Sequence, residues 1–187
     1  RYFERASGRM HGPDPVAPFA STRFIWYIRE TGHSLQGAFL DYWNRRGGAS
    51  IFGYPLTEEF QEANPIDGRV YTVQYFERQR FEYHPEARGT PYEVQLGLLG
   101  VQIIENRFFP LAGSTVNSSG VIYFPQTGHT LSGGFRTFWQ GRGALPIFGY
   151  PLTEEFVERN PDAGNYYTVQ YFERARFEWH PENANTP

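Results

Sequence analysis

The chain repeats itself at a fixed interval of 96 residues, and this limits its fold more than any other feature. Residues 31–85 read TGHSLQGAFLDYWNRRGGASIFGYPLTEEFQEANPIDGRVYTVQYFERQRFEYHP. Residues 127–181 read TGHTLSGGFRTFWQGRGALPIFGYPLTEEFVERNPDAGNYYTVQYFERARFEWHP, and the two align without a gap. About two-thirds of the aligned residues are identical. Self-similarity of this kind marks a duplicated supersecondary unit rather than one mixed core. A partial third copy stands at Arg1–Ala6 (RYFERA), which repeats the tail motif found near residue 171. The chain therefore divides into four parts. Residues 1–30 are the tail of a preceding module plus a Pro-rich linker, 31–85 the first module, 86–126 a connector with a helix, and 127–187 the second module. A chain that opens on Arg1 inside a recurring motif is expected to be an excerpt or processed product of a longer protein.

Each module is small for independent stability, so its core must gain burial from a neighbour or from the connector. What fills that core is mostly rings: 17 Phe, 13 Tyr and 4 Trp stand against a single Met. Rings bury large areas, but Tyr and Trp also need polar partners for their tips. Some of this aromatic surface is therefore expected to be exposed and free to make contacts. All 17 basic residues are Arg, which stacks on rings and forks onto carboxylates. A net charge of −3 disfavours non-specific binding to nucleic acid. Cysteine is absent, which excludes disulfides, thiol catalysis and Cys-ligated zinc. No run of about 18 apolar residues offers a transmembrane segment.

The residue pattern predicts an α+β fold of tandem repeat modules. Each module is a short helix plus a three-stranded antiparallel β-meander, with a helical connector between modules. Leu35, Phe39, Tyr42 and Trp43 fall at helical spacing after Ser34, the expected N-cap; Leu131, Phe135, Phe138 and Trp139 repeat this after Thr130. Gly47 with Gly48, and Gly141 with Gly143, end these helices. IFGYP leads into a short strand over about residues 56–62, and Pro65, Asp67 and Gly68 turn the chain back. Residues 71–77 and 80–84 alternate as two antiparallel strands. In the last strand Phe81 and Tyr83 share one face, and Arg80, Glu82 and His84 share the other. That period of two predicts a packed face and a wet face. In the connector, Val94, Leu98, Val101 and Ile104 are at helical spacing, interrupted by Gly97 and Gly100.

These residues resemble the LGFP repeat of bacterial cell-surface proteins, and also look like aromatic-rich tandem repeats of the Chloroflexota. The resemblance rests on Phe52-Gly53-Tyr54-Pro55, Glu58-Glu59, Gln74-Tyr75-Phe76-Glu77 and Tyr83-His84-Pro85. In the second copy it rests on residues 148–151, Glu154-Glu155, residues 170–173 and Trp179-His180-Pro181. It covers both modules, somewhat over half the chain, and implies a secreted or cell-surface protein that helps to anchor attached enzymes to the wall. Two features depart from the family. Arg78-Gln79 and Arg174-Ala175 stand where it carries Gly-Gly, which points to a longer or bulged hairpin. The connector is also long for a simple tandem.

Three chemistries compete for these residues. Glu58, Glu59, Glu77 and Glu82, with their second copies, could supply the paired carboxylates of a glycan-processing enzyme. An active site duplicated intact in small adjacent modules is uncommon, whereas a duplicated structural motif is the normal case. His33, His84 and Glu58 could converge on a metal, echoed by His129 and His180, but no short-spaced His motif is present. No G-x-S-x-G elbow and no phosphate-binding Gly loop appears. The rings remain. Trp43 and Trp139 are assigned to the core. Tyr54, Tyr83, Tyr150 and Trp179 are assigned to ligand binding, the exchange of Tyr83 for Trp179 being easier on a contact surface than in a tight core. The expected function is a non-catalytic domain that binds cell-wall glycan or polysaccharide outside the cell, with no cofactor and no metal. A subunit of an extracellular filament or surface lattice, paired with copies of itself through an orphan strand, is the first alternative.

Overall fold

The structure, a computed structural model, describes residues 13–113 and 117–183. The RYFERA motif at Arg1–Ala6 lies outside the described residues. The chain forms a mixed α+β arrangement of small antiparallel sheets and short helices. It divides into two compact units, Arg1–Gly97 and Leu98–Pro187. No helix among the described residues is long and apolar enough to cross a membrane.

In the first unit the Pro-rich residues 13–22 form no helix or strand, and Val16 N–H donates to the Gly32 carbonyl at 3.0 Å. Strand β1 (Ile25–Ile28) pairs antiparallel with β2 (His33–Gln36), placing Trp26 opposite Leu35 and Tyr27 opposite Ser34. The residues Ser34 and Leu35, predicted to open a helix, thus belong to a strand. The break comes at Gly37, whose φ of 54° lies in the left-handed region and turns the strand into helix α1 (Gly37–Arg45). Ser34 makes no cap, because its hydroxyl is engaged elsewhere. Helix α2 (Gly48–Phe52) follows.

The core of this unit is a ring cluster around fully buried Phe81. Phe76, Phe52, Tyr42 and Phe39 surround it at centroid distances of 4.2, 4.9, 5.2 and 5.7 Å. Most of these contacts are edge-to-face, the arrangement that ring quadrupoles favour. Trp43 is also buried, edge-on to Trp26 at 6.1 Å, and its indole N–H donates to the Gly53 carbonyl at 3.0 Å. Gly53 explains the FGYP motif: its φ is 76°, and a Cβ there would stand 2.5 Å from the Glu77 side chain. Only glycine fits that bend.

The main sheet has the order β3 (Phe60–Ala63), β4 (Val70–Tyr75), β5 (Arg80–Tyr83), β6 (Val94–Leu96), all antiparallel. The β4–β5 hairpin pairs Tyr75 with Arg80 around residues 76–79, none of which has a positive φ. A turn without glycine is accommodated by this longer loop. Strand β6 replaces the first part of the predicted connector helix. Val94 and Leu96 lie opposite Tyr83 and Phe81, so they follow a period of two and bury themselves against the rings. Arg80, Glu82 and His84, predicted on a wet face, are 3%, 4% and 7% exposed. Neighbours on the loop and adjacent strands hold them: Asn64 donates to both oxygens of Glu82 at 2.9 Å, the Tyr71 ring of β4 lies 4.3 Å from the His84 ring, and Arg80 Nε donates to Glu62 of β3 at 2.8 Å.

In the second unit, helix α3 (Leu99–Ile103) is followed by paired strands β7 (Val121–Phe124) and β8 (His129–Ser132). Helices α4 (Gly133–Gly141) and α5 (Ala144–Phe148) come next. Strands β9 (Phe156–Arg159), β10 (Tyr166–Tyr171) and β11 (Arg176–Trp179) form a sheet in the order β11-β10-β9. Phe177 occupies the ring centre here, with Phe172, Phe148, Phe138 and Phe135 at 4.3, 4.8, 5.2 and 5.8 Å. Helix α3 seats on the β10–β11 turn, where the N–H groups of Gly100 and Val101 both donate to the Glu173 carbonyl. A Cβ on Gly100 would overlap the Phe172 carbonyl oxygen. Gly100, which weakens the helical pattern in sequence, is therefore the residue that lets this helix dock.

Candidate functional site

The duplicated carboxylates are held in place by duplicated bonds. Glu58 accepts the Ser34 N–H at 2.7 Å and the Ser34 hydroxyl, and its Oε1 lies 3.2 Å from His33 Nδ1. Glu154 does the same with Thr130 and His129. In both, the carboxylate stands between the hydroxyl and the imidazole. A nucleophile would need the imidazole to stand between the other two. The arrangement is a clamp joining the Thr-Gly-His hairpin to the Glu-Glu loop. Gln74 strengthens it from below: buried, it donates to the carbonyls of Ser34 and Thr57 at 2.8 Å each. Gln170 repeats this with Thr130 and Thr153 at 2.7 and 2.8 Å.

Glu77, Glu173, Glu62 and Glu82 are similarly committed. Glu77 accepts the Tyr54 N–H at 3.2 Å and Glu173 the Tyr150 N–H at 3.1 Å, each bracing its FGYP turn. Glu62 accepts from the Tyr75 hydroxyl and from Arg80 Nε at 2.8 Å, and Arg80 continues to Glu82 at 3.1 Å. Burial and the adjacent Glu62 charge push the Tyr75 phenol up to about 12. Glu59 is also raised, by burial first and then by the Glu58 charge. The histidines do not converge: His33 meets Glu58, whereas His84 Nδ1 lies 2.8 Å from Glu86. Among the described residues no three His, Asp or Glu side chains are grouped to hold a metal ion.

The second unit extends its sheet network with Arg107. Its guanidinium reaches Glu158 at 2.8 Å and lies over the Phe109, Phe156 and Tyr171 rings at 4.9, 5.9 and 5.4 Å. Burial raises the Glu158 carboxyl, but bonds from Tyr171, Arg107 and Arg176 more than reverse this and leave it below the ordinary carboxylate range. Glu178 is likewise pushed up by burial and brought down further by Arg176, His180 and Asn160. Burial lowers His180, and Glu182 and Glu178 outweigh it, so the imidazole ends above its usual range.

Of the four rings assigned to ligand binding, Tyr54 and Tyr83 belong to the first unit and Tyr150 and Trp179 to the second. Tyr54 and Tyr150 are half-buried in the FGYP turns, and Tyr150 rests edge-on against Phe124 at 5.7 Å. Tyr83 is half-buried in β5 between Thr72 and Val94. Trp179 is 47% exposed and lies over Gly134, where a Cβ would stand 2.6 Å from the ring. The core assignment of Trp43 and Trp139 agrees with their 8% exposure.

Sequence reasoning missed a groove of about 560 Å3 in the first unit. It runs between α1 and the loop that leads into β6, and is lined among others by Asp41, Tyr42, Arg45, Arg46, Glu93 and Val94. Asp41 pairs with Arg45 at 3.0 Å, and the Arg46 guanidinium lies 5.7 Å from the Tyr42 ring. The volume falls within the range of small-molecule sites, and the lining combines one ring wall with both signs of charge. The only sequence signal was the i,i+4 pair Asp41–Arg45, which reads as an ordinary exposed helix pair. Compared with known protein families and with the curated proteins, the chain matches no family model and no curated sequence.

Proposed function

We propose that this chain is a non-catalytic, tandem-repeat binding domain of a secreted or cell-surface protein, and that it engages cell-wall glycan or a related polysaccharide. The groove beside α1 is the observation that carries this reading. Sugars present flat C–H faces and rows of hydroxyls, and they are bound by ring walls flanked by planar charged side chains. Tyr42 with Asp41, Arg45, Arg46 and Glu93 supplies that combination. The partly open rings of Tyr54 and Tyr83 in the first unit, and of Tyr150 and Trp179 in the second, offer each unit further surface for such a ligand. The commitment of Glu58, Glu77, Glu62 and Glu82 to bracing bonds supports a binding role over a hydrolytic one. The LGFP-repeat resemblance points the same way, through its residues alone.

Sedimentation with purified bacterial cell wall tests the proposal. The chain is expected to co-sediment, and Asp41→Ala with Arg46→Ala should weaken retention about tenfold, as should Tyr83→Ala with Trp179→Ala. Retention unchanged in both doubly substituted, folded variants would overturn it.

A further inference from the structure

The groove beside α1 carries two charges that the protein itself does not answer, one on each wall. Asp41 and Arg45 neutralise each other at 3.0 Å. Arg46, next along the chain, lies 5.7 Å from the centre of the Tyr42 ring, and its guanidinium makes no ion pair or hydrogen bond among the described residues. On the other wall Glu93 accepts the Gly89 N–H at 2.9 Å through Oε2, and it too has no cationic partner among the described residues. We propose that the groove selects a saccharide bearing both a carboxylate and an ammonium, the carboxylate on Arg46 and the ammonium on Glu93, which rests on the glycan reading above and names the class of glycan.

Both groups are held by the backbone that carries them. Arg46 closes α1, its N–H donating to the Tyr42 carbonyl at 3.0 Å. The Tyr42 ring is itself fixed, edge-on to Phe81 at 5.2 Å and tilted against Phe52 at 5.9 Å. On the other wall the Glu93 carbonyl accepts the His84 N–H at 2.8 Å, and Val94 beside it pairs with Tyr83 in the sheet. His84 Nδ1 lies 2.8 Å from Glu86 and ties down the start of the loop. The loop then turns at Gly89, whose φ is 77°, and the Gly89 N–H orients the Glu93 carboxylate. A planar guanidinium matches a carboxylate, and a carboxylate with one oxygen open accepts from an ammonium.

A ligand with one charge serves one wall and offends the other. An acidic sugar placed on Arg46 meets Glu93 as a like charge, and a basic sugar placed on Glu93 meets Arg46. A neutral sugar takes water from both groups and returns no opposite charge. A saccharide with both groups answers both walls while a sugar face lies against the Tyr42 ring. A uronic acid joined to an unacetylated hexosamine is the simplest unit of this kind. In an open groove each pairing is worth about threefold in affinity and the two together about tenfold, fading as salt rises.

The test is an amide chemical-shift titration of the isotope-labelled 187-residue chain with four tetrasaccharides, at about pH 6 so that the amines are protonated. N-deacetylated heparosan carries both charges, heparosan carries carboxylates, chitosan carries ammonium groups, and chitin is neutral. Saturable shifts are expected at residues 41–46 and 89–94, with the doubly charged sugar bound about tenfold more tightly than chitin. Arg46→Ala should bring the doubly charged sugar level with chitosan, and Glu93→Gln should bring it level with heparosan, both variants remaining folded. Equal affinity for chitin and the doubly charged sugar, or an unchanged ranking in Arg46→Ala, overturns the proposal and leaves the glycan reading standing. Displacement of the sugar by an equal concentration of alanyl-alanine, which carries both charges without a sugar ring, overturns it as well. Saturation by none of the four overturns it too, and cell-wall sedimentation of the same chain then reports on the glycan reading separately.

Discussion

Single residues decide where this fold bends and where its helices seat. Trp179 packs so close to Gly134 that a Cβ there would stand 2.6 Å from the ring, whereas the first copy carries the smaller Tyr83 together with Ala38, so the larger ring comes with the smaller residue. Gly100 is held against the Phe172 carbonyl, with two N–H groups on the Glu173 carbonyl. Gly100→Ala must displace backbone, and thermal unfolding monitored at second-unit residues is expected to show a loss of roughly 1–3 kcal/mol. Ala144 is the opposite case. Its φ is 48°, in the left-handed region, where the first copy has Gly48 at φ 56°. Relieving the Cβ clash by Ala144→Gly should raise second-unit stability by up to about 1 kcal/mol in denaturant unfolding, despite the greater freedom of glycine in the unfolded chain.

Among elements, the meander was the most legible. Strands β4 and β5 alternate over four or more residues between turn formers, and the structure places them within two residues of the expected bounds. The helix carrying Phe39, Tyr42 and Trp43 is as expected, but its start is not: Leu35 also satisfies helical spacing and yet lies in β2. Only the left-handed Gly37 shows that Leu35 reaches the core from a strand instead. Helix α2 was missed for being five residues long and rich in Gly, Ala and Ser. The groove was invisible for another reason: its walls come from α1 and a loop some fifty residues later, and no local pattern links them. The β9–β10–β11 sheet carries its own pH dependence. Glu158 and Glu178 lie below 4.5 when folded, so their stabilisation is present above that value and is lost as pH falls through the lowered folded range. His180 lies above 6.5 when folded, so its contribution is complete below 6.5 and fades as pH rises through its raised folded value. Melting temperature against pH should therefore fall on both sides of a maximum between these ranges. Glu178→Gln, which removes a partner of both Arg176 and His180, should flatten both limbs.

At the scale of the whole chain, each unit has a core of stacked and edge-on rings tied together by the same few polar bonds. Glu58 and Glu154, Gln74 and Gln170, and Trp43 and Trp139 make equivalent bonds 96 residues apart. On this account the repeated acids and rings build and display a surface, and the acids perform no reaction. The most direct test replaces Glu58 and Glu154 together by Gln, then measures melting temperature, cell-wall co-sedimentation and release of soluble glycan. The account predicts lower stability by roughly 1–3 kcal/mol per site, since the carboxylate accepts from the Ser34 or Thr130 N–H and hydroxyl, with co-sedimentation retained below the melting transition. An unchanged melting temperature, together with a glycan-releasing activity that the wild-type chain shows and the double variant lacks, would contradict it.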